Sequence, residues 1–431
     1  EMDRQKQRSK KSSASKVHDW VTLKDTAEKF VGYDATESET YITRYRKVEN
    51  KDGEFYQIVL EESPFYPEGG GQVGDSGLLQ NNNAAVEVLE TKKENNLIVS
   101  LVKNLPEDVN ARFHAKVSTD RRHTMANHSA THLLHEALRT VLGTHVEQKG
   151  SFVGPDYLRF DFSHFGKMTD EELAEVERLV NEKIQENIKL DEFRDIPIDE
   201  AIGKGAMALF GEKYGDKVRM IQFGSSRELC GGTHVRSTGE IGQFKISAES
   251  STAAGIRRIE AITGQKAREY YNGLEEQINE LKQLLKSKDL TKAVEKLIDE
   301  NAALKSENEG LKKEKANAET AQWKNDFRES NGKNLLVKRA DLDAAAIKDI
   351  VFTLKKEQPR SVVVVLSENG GKPMITVGVS DDLSGEYHAG NIVKELAKEI
   401  NGGGGGNPGF ATAGGKNPAG LQAALEKAEQ L

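Results

Sequence analysis

Cysteine is almost missing from this chain of 431 residues: Cys230 is the only one. A single thiol permits no internal disulfide, so a reducing cytoplasm is the expected compartment. Long apolar runs are missing too. The longest, Ser361–Leu366 (SVVVVL), falls far short of a membrane-spanning helix. The opening EMDRQKQRSKKSSASK has no apolar core of the kind a secretory signal needs. There is no positive excess either. The formal net charge is −8, so any nucleic-acid partner must be held by local basic patches. One candidate is the opening arm with Arg4, Lys6, Arg8, Lys10 and Lys11, which reads equally as the solvated tail of a helix. With 36% hydrophobic and 30% charged residues the chain is charge-rich yet able to fold. Its length calls for about two to four domains.

Against these absences stand two short pairs. His128 and His132 lie in HSATH, and Cys230 and His234 lie in CGGTH. Both pairs are spaced i, i+4. The first falls in a strongly helical stretch, so both imidazoles leave one face a turn apart. The second is flanked by Gly231 and Gly232, which allow a tight turn. Three imidazoles and one thiolate form the donor set that suits tetrahedral zinc, one ion per chain. HSATH is not the HExxH of a zinc protease, because Ser129 stands where that motif has its glutamate.

The rest of the chain sorts by period into an α+β multidomain protein. From Val21 to Lys116 short β-branched segments such as TYITRYRKV, EFYQIVLEE and NLIVSLV alternate with turn clusters, which predicts a small antiparallel barrel. Gly69, Gly71 and Gly74 formally match GxGxxG, but turn and strand follow them, so a dinucleotide site is rejected. They read as a loop bordering a pocket or as a plain barrel turn. From Asp120 the period is helical, with Met125, Leu134, Leu138, Val141 and Leu142 on one face and Gly143 as C-cap. Thr169 and Glu172 form a capping box for a second helix, and Val218–Ile262 returns to strands. Leu274, Ile278, Leu281 and Leu285, then Val294, Leu297, Leu304 and Leu311, make an apolar seam broken at KSKDL, with Asn301 and Asn308 on it. That predicts a coiled-coil hairpin, a dimerising arm or a single connector helix. The end reads as a small α/β module. Its run Gly402, Gly403, Gly404, Gly405 and Gly406 reads as a flexible linker or as backbone that approaches phosphates, and a last helix is expected to be capped by Asn417 with Pro418 following.

The stretches HTMANHSATHLLHEALRTVLGTHVEQKGSFV, RELCGGTHV and STAAGIRRIEAITG resemble the editing domain of alanyl-tRNA synthetases. The resemblance extends upstream through SPFYPEGGGQVGDSG and downstream to GGGGGNP, which also resembles the DHHA1 module of DHH phosphoesterases. No Asp-His-His triplet is present, so a phosphodiesterase would lack its metal half. Nothing resembles the class II aminoacylation domain, and the chain opens at Glu1, so it reads as a carboxy-terminal fragment of the ATP-dependent ligase. The resemblance implies the end of a tRNA-recognition helical region at 1–20, a β-barrel at 21–116 and a zinc editing domain at 117–265. A coiled-coil linker at 266–325 and a C-terminal DHHA1-type (C-Ala) domain at 326–431 follow.

It also implies an aminoacyl-tRNA deacylase that hydrolyses Ser-tRNA(Ala) and Gly-tRNA(Ala). Thr131 would read the serine hydroxyl and Gln148 would orient the ester or water. Arg257, Arg258, the glycine run and Lys416 would contact tRNA, and a homodimer would form through the coiled coil or C-terminal region. A second site is needed because one methylene or hydroxyl shifts binding by only about 1–3 kcal/mol in an apolar pocket. Two alternatives remain: a free-standing trans-editing deacylase, or a tRNA-binding and dimerising fragment whose zinc is structural. Threonyl-tRNA synthetases share similar HxxxH and CxxxH pairs but not RRIEAITG.

Overall fold

The computed structural model describes residues 16–50, 53–208 and 214–431. The basic arm from Arg4 to Lys11 lies outside them. The chain divides into two compact units, Glu1–Asn279 and Glu280–Leu431. Among the described residues no helix is long and apolar enough to cross a membrane.

In the first unit six antiparallel strands close on themselves. They are β1 (Glu37–Asn50), β2 (Gly53–Leu60), β3 (Gly77–Gln80), β4 (Ala85–Glu94), β5 (Leu97–Val102) and β6 (Arg112–Val117). The hydrogen-bonded ring runs β1–β6–β3–β4–β5–β2 and returns to β1. Alternation makes the barrel: in β6, Phe113, Ala115 and Val117 are buried while Arg112 and Lys116 are exposed. The interior is filled by Ile42, Ile58, Leu79, Val88, Val102 and Phe113. The barrel expected from the sequence is present.

Beyond it runs α1 (Asp120–Leu142), whose C-cap Gly143 adopts φ 113° and donates its N–H to the Arg139 carbonyl. Next come β7 (Gln148–Val153), β8 (Leu158–Ser163) and α2 (Asp170–Gln185). Thr169 caps α2 with the reciprocal Glu172 bond, as its spacing predicts. Then follow β9 (Asp191–Pro197), β10 (Lys217–Phe223), β11 (Ser226–Leu229), β12 (Phe244–Ala253) and β13 (Ile256–Thr263). They form a four-stranded sheet, β7–β8–β13–β12, and a three-stranded one, β9–β10–β11. Leu133, Leu134 and Leu138 of α1 share one core with Phe160, Phe162, Val176, Ile221 and Ile259. Helix α1 is thus held on rigid packing, where truncating a buried leucine costs about 2–5 kcal/mol. The unit ends in α3 (Gly264–Leu285).

The second unit begins within the last turns of α3 and continues with α4 (Leu290–Trp323), capped by the Asp289 side chain on the Lys292 N–H. The chain leaves helix at KSKDL, where the seam was expected to break. Leu281, Leu297, Leu304 and Leu311 on this seam are 48–64% exposed, so the apolar stripe faces solvent in the single chain. Beyond α4 lie β14 (Arg328–Ser330), β15 (Lys333–Ala340), α5 (Ala344–Glu357), β16 (Ser361–Asn369), β17 (Lys372–Val379), α6 (Ala389–Ala397), β18 (Gly403–Asn407), β19 (Phe410–Gly414) and α7 (Leu421–Ala428). The sheet order is β14–β15–β16–β17–β19–β18, with only β15 and β16 parallel, joined through α5. SVVVVL is apolar on both faces because both are covered. Val363 and Val365 share a core with Ile350 and Leu354 of α5, and Val362 and Val364 with Val393 of α6 and Leu421 of α7.

Two expectations for this unit need correction. The glycine run is not a flexible linker: Gly403–Asn407 is an edge strand paired with β19. A Cβ at Gly404 or Gly406 would lie 2.1 or 2.2 Å from a carbonyl oxygen of β19, so only glycine permits this pairing. Asn417 does not cap the last helix. Its side-chain amide donates to the Glu399 carbonyl, and a 3-10 turn at Pro418–Gly420 precedes α7.

Candidate metal centre

Helix α1 and the turn after β11 bring four side chains together. The donor atoms of His128, His132, Cys230 and His234 all lie within 4.8 Å of one another. Cys230 Sγ is 3.4 Å from His128 Nε2 and 3.3 Å from His234 Nε2. The ring centroids are 4.3 Å apart for His128 and His234 and 4.8 Å for His132 and His234. A tetrahedral zinc with bonds of roughly 2.0–2.3 Å holds its donors about 3.3–3.6 Å apart, which both sulfur–nitrogen separations fit. His132 Nε2 is buried with no hydrogen-bond partner, the condition of a nitrogen that needs a ligand. The four residues therefore suit a metal ion and are consistent with zinc.

The cysteine turn is tied down at every carbonyl. Arg219 donates to the Cys230 and Gly232 oxygens at 2.9 and 2.7 Å, and the Tyr33 hydroxyl to the Gly231 oxygen at 2.7 Å. Gly232 must be glycine, since a Cβ there would lie 2.0 Å from His128 Cε1.

Each imidazole also has a second partner on Nδ1, which leaves Nε2 aimed inward. His128 Nδ1 is 2.8 Å from Gln72 Oε1, His234 Nδ1 is 3.1 Å from Ser129 Oγ, and His132 Nδ1 is 2.6 Å from Glu228 Oε2. Such partners fix tautomer and ring orientation. Gln72 and Glu228 were not singled out in the sequence, and Ser129 was named only for standing where a zinc protease has its glutamate. Glu228 carried a usable signal, two residues before Cys230 in a short strand that ends at Leu229. Gln72 comes from the barrel and carried none.

Charge on these groups follows their surroundings. Burial alone would raise the Cys230 thiol, but the His128 and His234 imidazoles hold it well below the usual thiol range. Burial opposes a charge on His132, yet the Glu228 carboxylate pushes it up to about 10. Glu228 itself, despite its burial, is pulled down to about 2 by His132 and His135. Cys230 is thus set as a thiolate, the form that binds metal.

His128, His132 and Cys230 of the cluster line a cavity of about 530 Å³, together with Phe30, Tyr33, Tyr66, Thr131 and Gln148. Gly69 and Gly70 border it as well, so this glycine loop does adjoin a pocket. The Thr131 hydroxyl donates to the Asn127 carbonyl at 2.9 Å, and Gln148 Nε2 makes only a 3.4 Å contact with Ser151 Oγ. Arg257 and Arg258 are elsewhere and already paired. Arg257 Nε is 2.5 Å from Glu249 Oε1, and Arg258 binds Asp161 through two bonds of 2.6 and 2.8 Å. Neither presents a free guanidinium. The glycine run and the exposed Lys416 belong to the second unit.

Comparison with known proteins reaches the same region. The family described as "Threonyl and Alanyl tRNA synthetase second additional domain" matches residues 218–260, and the DHHA1 domain matches 332–431. The family "tRNA synthetases class II (A)" matches residues 1–122. That match corrects the expectation that nothing here resembles class II. Among the described residues the stretch is barrel strands, with no helix before Asp120. Alanine–tRNA ligases of Bacteroides fragilis, Christiangramia forsetii and Porphyromonas gingivalis are 54%, 52% and 49% identical to the chain. These alignments cover 99–100% of this chain and 49–50% of the relatives, so the chain spans about half their length. A crystal structure of the C-Ala domain from Aquifex aeolicus alanyl-tRNA synthetase is 25% identical with a TM-score of 0.23, covering 24% of this chain and 96% of that one. That score carries no weight here; the sequence identities do. The chain belongs to the alanyl-tRNA synthetase family, as a stretch half the length of the curated ligases that holds the second additional domain and the DHHA1 domain.

Proposed function

We propose that the cavity hydrolyses the ester of serine or glycine on the 3′ end of tRNA(Ala), with one zinc held by His128, His132, Cys230 and His234. The observation that carries this is that three of the four clustered donors, His128, His132 and Cys230, line a cavity that Thr131 and Gln148 also line. A bound zinc would supply fixed positive charge near the ester carbonyl and the 3′ end. The protein's own groups do the selecting. Thr131 spends its proton on Asn127, so its oxygen lone pairs are available to accept a hydrogen bond from a serine hydroxyl. Alanine has no such donor and would leave the oxygen unpaired. Gln148 is weakly tied and its amide is free to donate to the ester carbonyl or accept from water.

In this reading the barrel (21–116) and zinc domain (117–265) form the editing site, 266–325 pairs two copies through its exposed seam, and 326–431 binds tRNA(Ala). The glycine strand lies at the sheet edge with its outer backbone groups unpaired, which supports tRNA contact there. Arg257 and Arg258 would have to exchange a carboxylate for phosphate to contribute. A second reading, a tRNA-binding piece with structural zinc, is favoured by the four protein donors, since such a set closes the coordination sphere. Incubating the chain with Ser-tRNA(Ala) separates them: an editing site releases serine and loses that activity in His132→Ala, whereas a structural site binds tRNA without releasing it.

A further inference from the structure

On the face that carries His128 and His132, the zinc helix holds a further imidazole that the metal cluster does not use. His128, His132 and His135 fall at i, i+4 and i+7 of α1, so all three leave the same face. His135 is 3% exposed, and its Nδ1 is 2.8 Å from Glu228 Oε1. The other oxygen of that carboxylate is 2.6 Å from Nδ1 of the ligand His132. Glu228 is 4% exposed, and the two imidazoles are its only side-chain partners among the described contacts.

A buried carboxylate so placed is held by ring N–H donors alone. If one were removed, half of the carboxylate would have no protein partner at a position only 4% exposed. His135 Nε2 is itself buried without a hydrogen-bond partner, and its ring packs on Phe160 at 5.2 Å. Its one polar contact is therefore Glu228. Sequence places Glu228 and Cys230 close together, for Glu228 lies on β11 and Cys230 directly follows the end of that strand.

We infer that Glu228 and His135 are positioning residues for the metal: His135 fixes the carboxylate, and the carboxylate fixes His132 with its Nε2 lone pair toward the ion. The functional motif is then H-x3-H-x2-H on α1 with E-x-C-x3-H on the strand and turn. The inference rests on the reading of the cluster as a zinc site.

Zinc affinity, measured on the whole chain by competition with a chromogenic chelator, tests it. Glu228→Ala should weaken zinc binding by about 10–100-fold, the usual effect of losing an outer-shell partner. Glu228→Gln, which keeps the shape, should weaken it less. His135→Ala should weaken it in the same direction although His135 touches no metal. His135→Asn, whose amide can place a donor where Nδ1 stood, should recover most of the loss. Because His135 acts through Glu228, the double variant Glu228→Ala/His135→Ala should be no weaker than Glu228→Ala alone. Unchanged affinity in both Glu228 variants, or losses that multiply in the double variant, would overturn the inference. A wild-type chain that binds no zinc would instead remove the reading beneath it.

Discussion

Arg121, in the first turn of the helix that carries His128 and His132, lies buried against Asp75 of the barrel, with Nε 2.8 Å from Oδ2. The same guanidinium donates to the Gly32 and Pro64 carbonyls at 2.8 and 2.9 Å. The barrel and the metal-bearing helix are thereby fastened by one buried ion pair whose remaining donors are also satisfied. Removing one partner leaves the other charge stranded, so Arg121→Ala or Asp75→Ala should destabilise the first unit by about 3–5 kcal/mol. The double variant Arg121→Met/Asp75→Leu should cost less than either. Urea unfolding followed by tryptophan-independent far-UV signal measures all three.

Zinc removal should act locally. A strong chelator is expected to lower the melting temperature of the first unit and leave the second unchanged, because all four donors lie before residue 280. Single alanine changes at His128, His132, Cys230 or His234 should each reduce zinc below the expected one per chain. Calorimetry paired with metal analysis checks both statements.

Thr131→Val keeps the side-chain volume and removes one hydroxyl. Loss of that acceptor is expected to cost about 1–2 kcal/mol toward a serine ester, a roughly five- to thirtyfold slower hydrolysis of Ser-tRNA(Ala). Gly-tRNA(Ala) should be affected little. An equal fall for both, with zinc content reduced, would mean that Thr131 supports the metal site and reads nothing.

Alternate glycines of the edge strand should behave differently. A Cβ at Gly404 meets the Thr412 carbonyl, whereas one at Gly403 or Gly405 has nothing within 4 Å. Gly404→Ala should therefore unfold the second unit at lower temperature, while Gly403→Ala should not. If the strand contacts tRNA, Gly403→Val should weaken tRNA binding in a chain of normal stability, as filter binding would show.

What could be read ahead followed from local period. The HxxxH spacing needs only a helix, and the barrel needs only alternation, so both were visible in short stretches. Which partner each imidazole takes was not, although Glu228 lies near Cys230. Gln72 reaches His128 across 56 positions and Glu228 reaches His135 across 93. The fate of Arg257 and Arg258 was hidden for the same reason. Their carboxylates, Glu249 and Asp161, lie on neighbouring strands whose register no local pattern reveals. The glycine run misled because five glycines carry no side-chain alternation, although their backbone pairs as a strand.

Discrimination among aminoacyl esters by this cavity is tested by the single-turnover rate of hydrolysis of Ser-tRNA(Ala) beside that of Ala-tRNA(Ala), both with the zinc-loaded chain in excess. Serine should be lost rapidly, while the alanine ester should persist at close to its spontaneous rate. Equal rates for the two esters, or no hydrolysis of either by a chain carrying its zinc, would contradict it.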